Sequence, residues 1–288
     1  MNPVMLNMLN QTILILMELA VGFGLFWLGQ FLYQRLFRRI ALNEELFVRD
    51  NPAVAIALVG YYLGIVMAIG GVLGKSFVSW QDQILTLLSY GVMAIVLMLV
   101  GAWVGDRLIL RHFDCARETR EEQNLGAATA EAGTHIANGL VLQAALGGDQ
   151  GGWLVAVICW VIGLGVLYLV SLIYPRVTRY DVFGEIRNRN NPAAGVAFAG
   201  LLIATGNLVR VAFSPEFHSW TTSLLDYGLT LSISLLALVL IRWLADLILV
   251  PGVKISDEIV HQEIPNVGAG LIEAFSYIAA SFLIAWVI

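Results

Sequence analysis

The sequence predicts an all-α membrane protein, with eight transmembrane helices arranged as two parallel four-helix repeats. Three observations carry that expectation: too little charge for a fold in water, eight apolar stretches of spanning length, and short motifs that recur in order about 140 residues apart. Of the 288 residues, 59% are apolar and only 13% are charged, with a mean hydropathy of +0.80. Soluble domains carry roughly 25% charged residues. A chain with half that charge cannot cover its apolar side chains in water, so a bilayer has to surround them.

A helix that crosses the hydrocarbon core needs about 20 mostly apolar residues. The stretches that qualify are Ile13–Tyr33, Pro52–Leu73, Leu85–Leu110, Leu125–Leu146, Trp153–Tyr174, Pro192–Phe213, Leu224–Val250 and Pro265–Ile288. The fourth is the most polar, carrying Glu131, His135, Asn138 and Gln143, and a re-entrant or interfacial segment is its alternative. Charge placement argues for a full crossing. Arg35, Arg38, Arg39 and Arg49 follow the first stretch, Arg107, Arg111, Arg117 and Arg120 the third, Arg176, Arg179, Arg187 and Arg189 the fifth, and Lys254 the seventh. The other side receives Lys75 and Arg210, with Arg242 inside a stretch. Positive residues stay in the cytoplasm, so eight crossings with both termini outside the cytoplasm are expected. Removing the fourth crossing would put the Arg176–Arg189 loop on the wrong side. The first stretch lacks a preceding Lys or Arg and exceeds a signal-peptide core in length, so it is expected to remain as a span.

Internal repetition sets the domain organisation. Asn51-Pro52-Ala53 recurs as Asn191-Pro192-Ala193, 140 residues later, and Ser89-Tyr90-Gly91 corresponds to Asp226-Tyr227-Gly228 at 137. Trp103 and Asp106 match Trp243 and Asp246 at 140, and Asn124, Ala127, Glu131 and Ala132 match Asn266, Ala269, Glu273 and Ala274 at 142. The repeats are therefore expected over 1–148 and 149–288. An even number of spans per copy makes both enter the membrane in the same sense, with a pseudo-two-fold axis along the membrane normal.

These motifs resemble those of the bacterial family called domain of unknown function 350. The resemblance rests on the Asn-Pro-Ala opening, the Gly-spaced small residues, the Asp near the end of a third helix and the Asn-x-Gly-Ala start of a fourth. It covers about 10–146 and 150–288. Members resemble one another as inner-membrane four-helix units, single or duplicated. The resemblance thus implies fold and the bacterial inner membrane, and it brings no biochemical activity.

Ionisable groups at membrane depth are costly and are candidates for function. Glu131 lies seven residues into its stretch, and Glu273 holds the same place in the second copy. His135 and Asn138 continue the Glu131 face at helical spacing, a stripe that could pass protons or coordinate a cation. The same residue types also serve interhelical hydrogen bonding. Arg242 sits at a depth similar to Glu273 and four residues before Asp246, so Arg242, Glu273 and Asp246 are expected to form a structural ionic group. The first copy has Ala102 in place of Arg242 and His135 in place of Tyr277, which makes Glu131 the candidate titrating site. Asn51, Asn124, Asn191 and Asn266 are expected helix caps, two of them followed by a Pro suited to the first turn.

The sequence has no Gly-x-Ser-x-Gly, HExxH, Walker or dinucleotide motif, and its loops are too short for a soluble catalytic domain. An enzyme is not expected, and Glu131 with His135 would be the acid–base pair of an intramembrane one. A net charge of −5 without a basic cluster argues against nucleic acid. Cys115 and Cys159 have no metal-ligand spacing, and no metal or cofactor is expected. Two functions remain: a channel or ion-coupled permease with its path between the repeats, or a membrane-stress or scaffold subunit without transport. The expected partners are the lipid bilayer, further copies of the chain, and a cytoplasmic protein bound through the Arg-rich loops.

Overall fold

Each apolar stretch becomes a long helix, and each Arg-bearing connection becomes a short one. The structure, a computed structural model, describes residues 3–38, 42–73, 79–148, 152–178, 180–214, 217–249, 251–252 and 254–288, with the backbone alone at 3–7, 38, 242, 245 and 246. Arg39, Lys75 and Arg179 lie outside the described residues, as do the side chains of Arg38, Arg242 and Asp246. Among the described residues the order is α1 (Pro3–Tyr33), α2 (Leu42–Phe47), α3 (Pro52–Gly70), α4 (Trp80–Val104), α5 (Cys115–Arg120), α6 (Leu125–Gly147), α7 (Gly152–Thr178), α8 (Val182–Asn188), α9 (Pro192–Ala212), α10 (Trp220–Ile248), α11 (Ile255–Val260) and α12 (Val267–Val287), with no strand. π-helical turns at Gln34–Arg38 and Gly105–Ile109 extend α1 and α4.

The pattern is long–short–long, four times over. Among the described residues seven long helices are apolar enough to cross a bilayer. The eighth, α6, has 23 residues, about 34 Å at 1.5 Å per residue, and falls short in apolarity, not in length. The structure explains why that polarity is tolerated. α6 packs between α3 and α9 and is also covered by α4 and α7. Its polar side chains therefore meet protein from the neighbouring helices, where their hydrogen bonds can be made inside the bundle.

The helices α3, α6, α9 and α12 form a continuous row, and small residues hold it together. A Cβ on Gly133 of α6 would lie 2.5 Å from the Ala199 Cα of α9, and one on Gly206 of α9 would lie 2.8 Å from the Ala137 Cα of α6. Gly60 meets Ala132 across α3 and α6, and Gly200 meets Ala274 across α9 and α12. Close backbone approach replaces the hydrophobic driving force that lipid removes. The helices α1, α4, α7 and α10 flank this row, with α4 against α3 and α6, α7 against α6 and α9, and α10 against α9 and α12. Leu, Val, Phe and Trp side chains on α1, α4, α7 and α10 point outward.

Candidate functional site

The four expected Asn caps all form, and each does more than cap. The Oδ1 of Asn51, Asn124, Asn191 and Asn266 accepts from the backbone N–H of Ala53, Ala127, Ala194 and Ala269 at 3.0–3.2 Å. Each Nδ2 donates to a Glu of the preceding short helix: Glu45, Glu118, Glu185 and Glu258, at 2.9–3.2 Å. The first three also donate onward to a backbone carbonyl at the next short helix: Asn51 to Thr119, Asn124 to Ile186 and Asn191 to Ile259. Asp50, Gln123 and Asn190, just before these caps, have φ of 47°, 50° and 52°. One left-handed residue turns the chain from short helix to long. The result is a rim in which α2, α5, α8 and α11 are tied in succession. A Glu six residues before the Asn, or eight in the last case, is the sequence signal for this motif.

Within the bundle, Glu131 and His135 meet as the helical spacing predicts. Both are 2% exposed, with Nε2 of His135 3.5 Å from Oε1 of Glu131. Tyr33, at the end of α1, joins them. Its hydroxyl donates to Glu131 Oε1 at 3.2 Å and lies 3.2 Å from His135 Nε2. Tyr61 of α3 stacks on Tyr33 with ring centroids 3.8 Å apart, and both rings meet the His135 ring edge-on at 5.6 Å. A carboxyl, a phenol and an imidazole thus share one buried contact, in which each group polarises the others.

The second half repeats this geometry around Glu273, which is fully buried. Tyr174 of α7 donates to Glu273 Oε1 at 3.0 Å, and Tyr277 donates to the same oxygen at 3.4 Å. Tyr33 and Tyr174 stand 141 residues apart, and Tyr277 takes the place of His135. Sequence reasoning missed both tyrosines, although Tyr33-Gln-Arg35 and Tyr174-Pro-Arg176 recur at the repeat offset. For the expected ionic group, the side chains of Arg242 and Asp246 lie outside the described residues, and the hydroxyls of Tyr174 and Tyr277 are described beside Glu273.

Asn138 does not extend the Glu131–His135 contact. It accepts from Trp160 Nε1 of α7 at 2.9 Å and donates toward the Met98 sulfur of α4 at 3.2 Å. Its role is to join α6 to two flanking helices. A Cβ on Gly101 would collide with this amide, so Gly101 makes room for it.

Comparison with known proteins agrees with this architecture. The chain is 22% identical over 268 residues to a UPF0719 transmembrane protein of Aquifex aeolicus (strain VF5), covering 90% of this chain and 96% of that one. No solved structure matches the chain. The family model described as Domain of Unknown Function (DUF350) matches twice in tandem, over residues 7–146 and 150–288. With apolar helices of spanning length and a relative of the same extent that is a transmembrane protein, this is a multi-pass membrane protein, and it belongs to the domain of unknown function 350 family.

Proposed function

We propose that the chain is an eight-span protein of the bacterial inner membrane, built as two parallel four-helix repeats over 1–148 and 149–288. In this reading both termini lie outside the cytoplasm. The protein acts as a non-enzymatic scaffold that offers its rim of short helices to a cytoplasmic protein. The observation that carries the choice is the close packing of the centre. Glu131 and His135 are buried against Tyr33 and Tyr61, and the α6–α9 contact is closed by Gly133 against Ala199 and Gly206 against Ala137. A permeation path between the repeats would require those backbones to separate. The rim supports the scaffold role, because three of its four caps tie α2, α5, α8 and α11 in succession while Arg49 and Arg117 extend from it, their side chains more than half exposed.

The ion-coupled permease keeps one observation in its favour, the continuous hydrogen bonding of Tyr33, Glu131 and His135. Reconstitution separates the two. In proteoliposomes carrying a proton or potassium gradient, the protein is expected to dissipate neither faster than protein-free vesicles. Dissipation that falls in Glu131→Gln would replace the scaffold with an ion path. Orientation has its own test. In a chain with Cys115 and Cys159 replaced by Ser, a cysteine at exposed Gly148 should react with an impermeant maleimide on intact cells, and one at exposed Glu122 should react only after lysis. The reverse pattern would overturn the orientation.

A further inference from the structure

The two halves share a sequence pattern but differ in how their flanking helices close. Gly91 of α4 is covered by Leu25 of α1, whereas a Cβ on the corresponding Gly228 of α10 would meet nothing within 4 Å. In the first half Tyr61 lies flat on Tyr33, and Ile95 and Met98 of α4 are buried near Gly29 of α1 and Gly64 of α3. With the repeats aligned on their Asn-Pro-Ala and Tyr-Gly motifs, the smaller Leu201 and Ser232 replace Tyr61 and Ile95. Between α7 and α10 this leaves a groove of about 430 Å³, lined almost wholly by apolar atoms. Its floor is Leu201, Tyr174 and Tyr277, and its lips are the exposed Ile173, Val177, Leu236 and Val239.

The groove does not end within the apolar region. Val177 and Val239 also line a second cavity of about 500 Å³ toward the rim, and its walls change character. There Thr178, Tyr180, Lys254, Ser256 and the Asp257–His261 pair replace aliphatic side chains, with Trp243 at the mouth, 66% exposed. An exposed Trp near the end of a spanning helix and a Lys in the connection that follows mark the interface with lipid headgroups. Both volumes fall within the roughly 300–1,000 Å³ of small-molecule sites.

We propose that this continuous groove holds one phospholipid from the leaflet on the side of α11, with an acyl chain between α7 and α10 and the headgroup phosphate beside Lys254. The apolar part lies at hydrocarbon depth and opens sideways, so a chain enters without leaving the bilayer. The polar part lies where that lipid's phosphate would stand. Lys254 supplies the positive charge and the hydrogen-bond donors, in a cavity whose other walls include Tyr180 and Ser256. The site is independent of whether the protein transports ions or acts as a scaffold.

Stepwise delipidation followed by native mass spectrometry tests the assignment, using the full chain reconstituted with phosphatidylglycerol or with diacylglycerol of the same chains. Wild type is expected to retain one phosphatidylglycerol per chain, and diacylglycerol at least tenfold less. Leu235→Trp, which fills the groove, should reduce retention at least tenfold. Leu63→Trp, on the exposed side of α3, should retain the lipid. Should Leu235→Trp fail to give folded protein, Ser232→Leu narrows the groove more gently and should still lower retention several-fold. Lys254→Gln should bring phosphatidylglycerol down toward the diacylglycerol level. Equal retention by all variants would mean annular lipid only and would overturn the site. Equal retention of the two lipids by wild type would overturn the assignment of the phosphate to Lys254.

Discussion

Asn124→Ala is expected to destabilise the protein by about 2–4 kcal/mol, through loss of a helix cap together with two stranded acceptors. Asn124 is fully buried, and its one amide serves three elements: the Ala127 N–H of α6, the Glu118 carboxylate of α5 and the Ile186 carbonyl of α8. Alanine leaves the last two in place without their donor. Asn266→Ala is the internal comparison, since Asn266 is exposed and its described partners are Glu258 and Ala269. Water can replace those partners, so the expected loss there is about 1 kcal/mol or less. Thermal unfolding of both variants in detergent checks the difference. Equal losses would mean that the onward bond to Ile186, which links the two halves at the rim, contributes nothing.

Gly133→Val should have a comparable effect by a different mechanism. The new Cβ would approach the Ala199 Cα and Cβ to 2.5 and 2.6 Å, and a valine adds two further methyl groups between two backbones. The contacting atoms are main chain and a methyl group, so no flexible side chain can move aside. Overpacking of this kind costs about 1–3 kcal/mol or more. Gly24→Val on α1, where a Cβ meets nothing within 4 Å, should remain within about 0.5 kcal/mol of wild type. In a Gly133→Ala background, Ala199→Gly should recover part of the loss by removing one of the two colliding methyl groups. A folded yield of Gly133→Val equal to that of Gly24→Val would show that α6 and α9 have room to separate, and would reopen the path between the repeats.

Several features were legible before any coordinates because they are local along the chain. Asn followed by Pro, by Leu-Gly or by Val-Gly marks a helix start through bonds reaching two or three residues ahead, so the four caps could be read directly. Glu131 and His135 could be placed on one face because they are four residues apart on a helix. Asn138 shows the limit of the same argument. Spacing puts it three residues beyond His135 on α6, yet Trp160 and Met98 claim its amide from other helices. Tyr33 contacts Glu131 across 98 residues and Tyr174 contacts Glu273 across 99, and hydropathy along the chain carries no information about such pairings.

Composition, contacts within one turn and motifs repeated at a fixed offset were enough to set the solvent, the long helices, four of their caps and the family. Helix packing settled the rest: the most polar long helix, α6, is sheltered among its neighbours, two tyrosines from distant helices complete the carboxylate sites, and α7 and α10 leave a groove where the first half is filled. The physical reason is distance along the chain. Backbone hydrogen bonds and helical periodicity act over a few residues, whereas burial, close glycine packing and cavity volume depend on which helices meet.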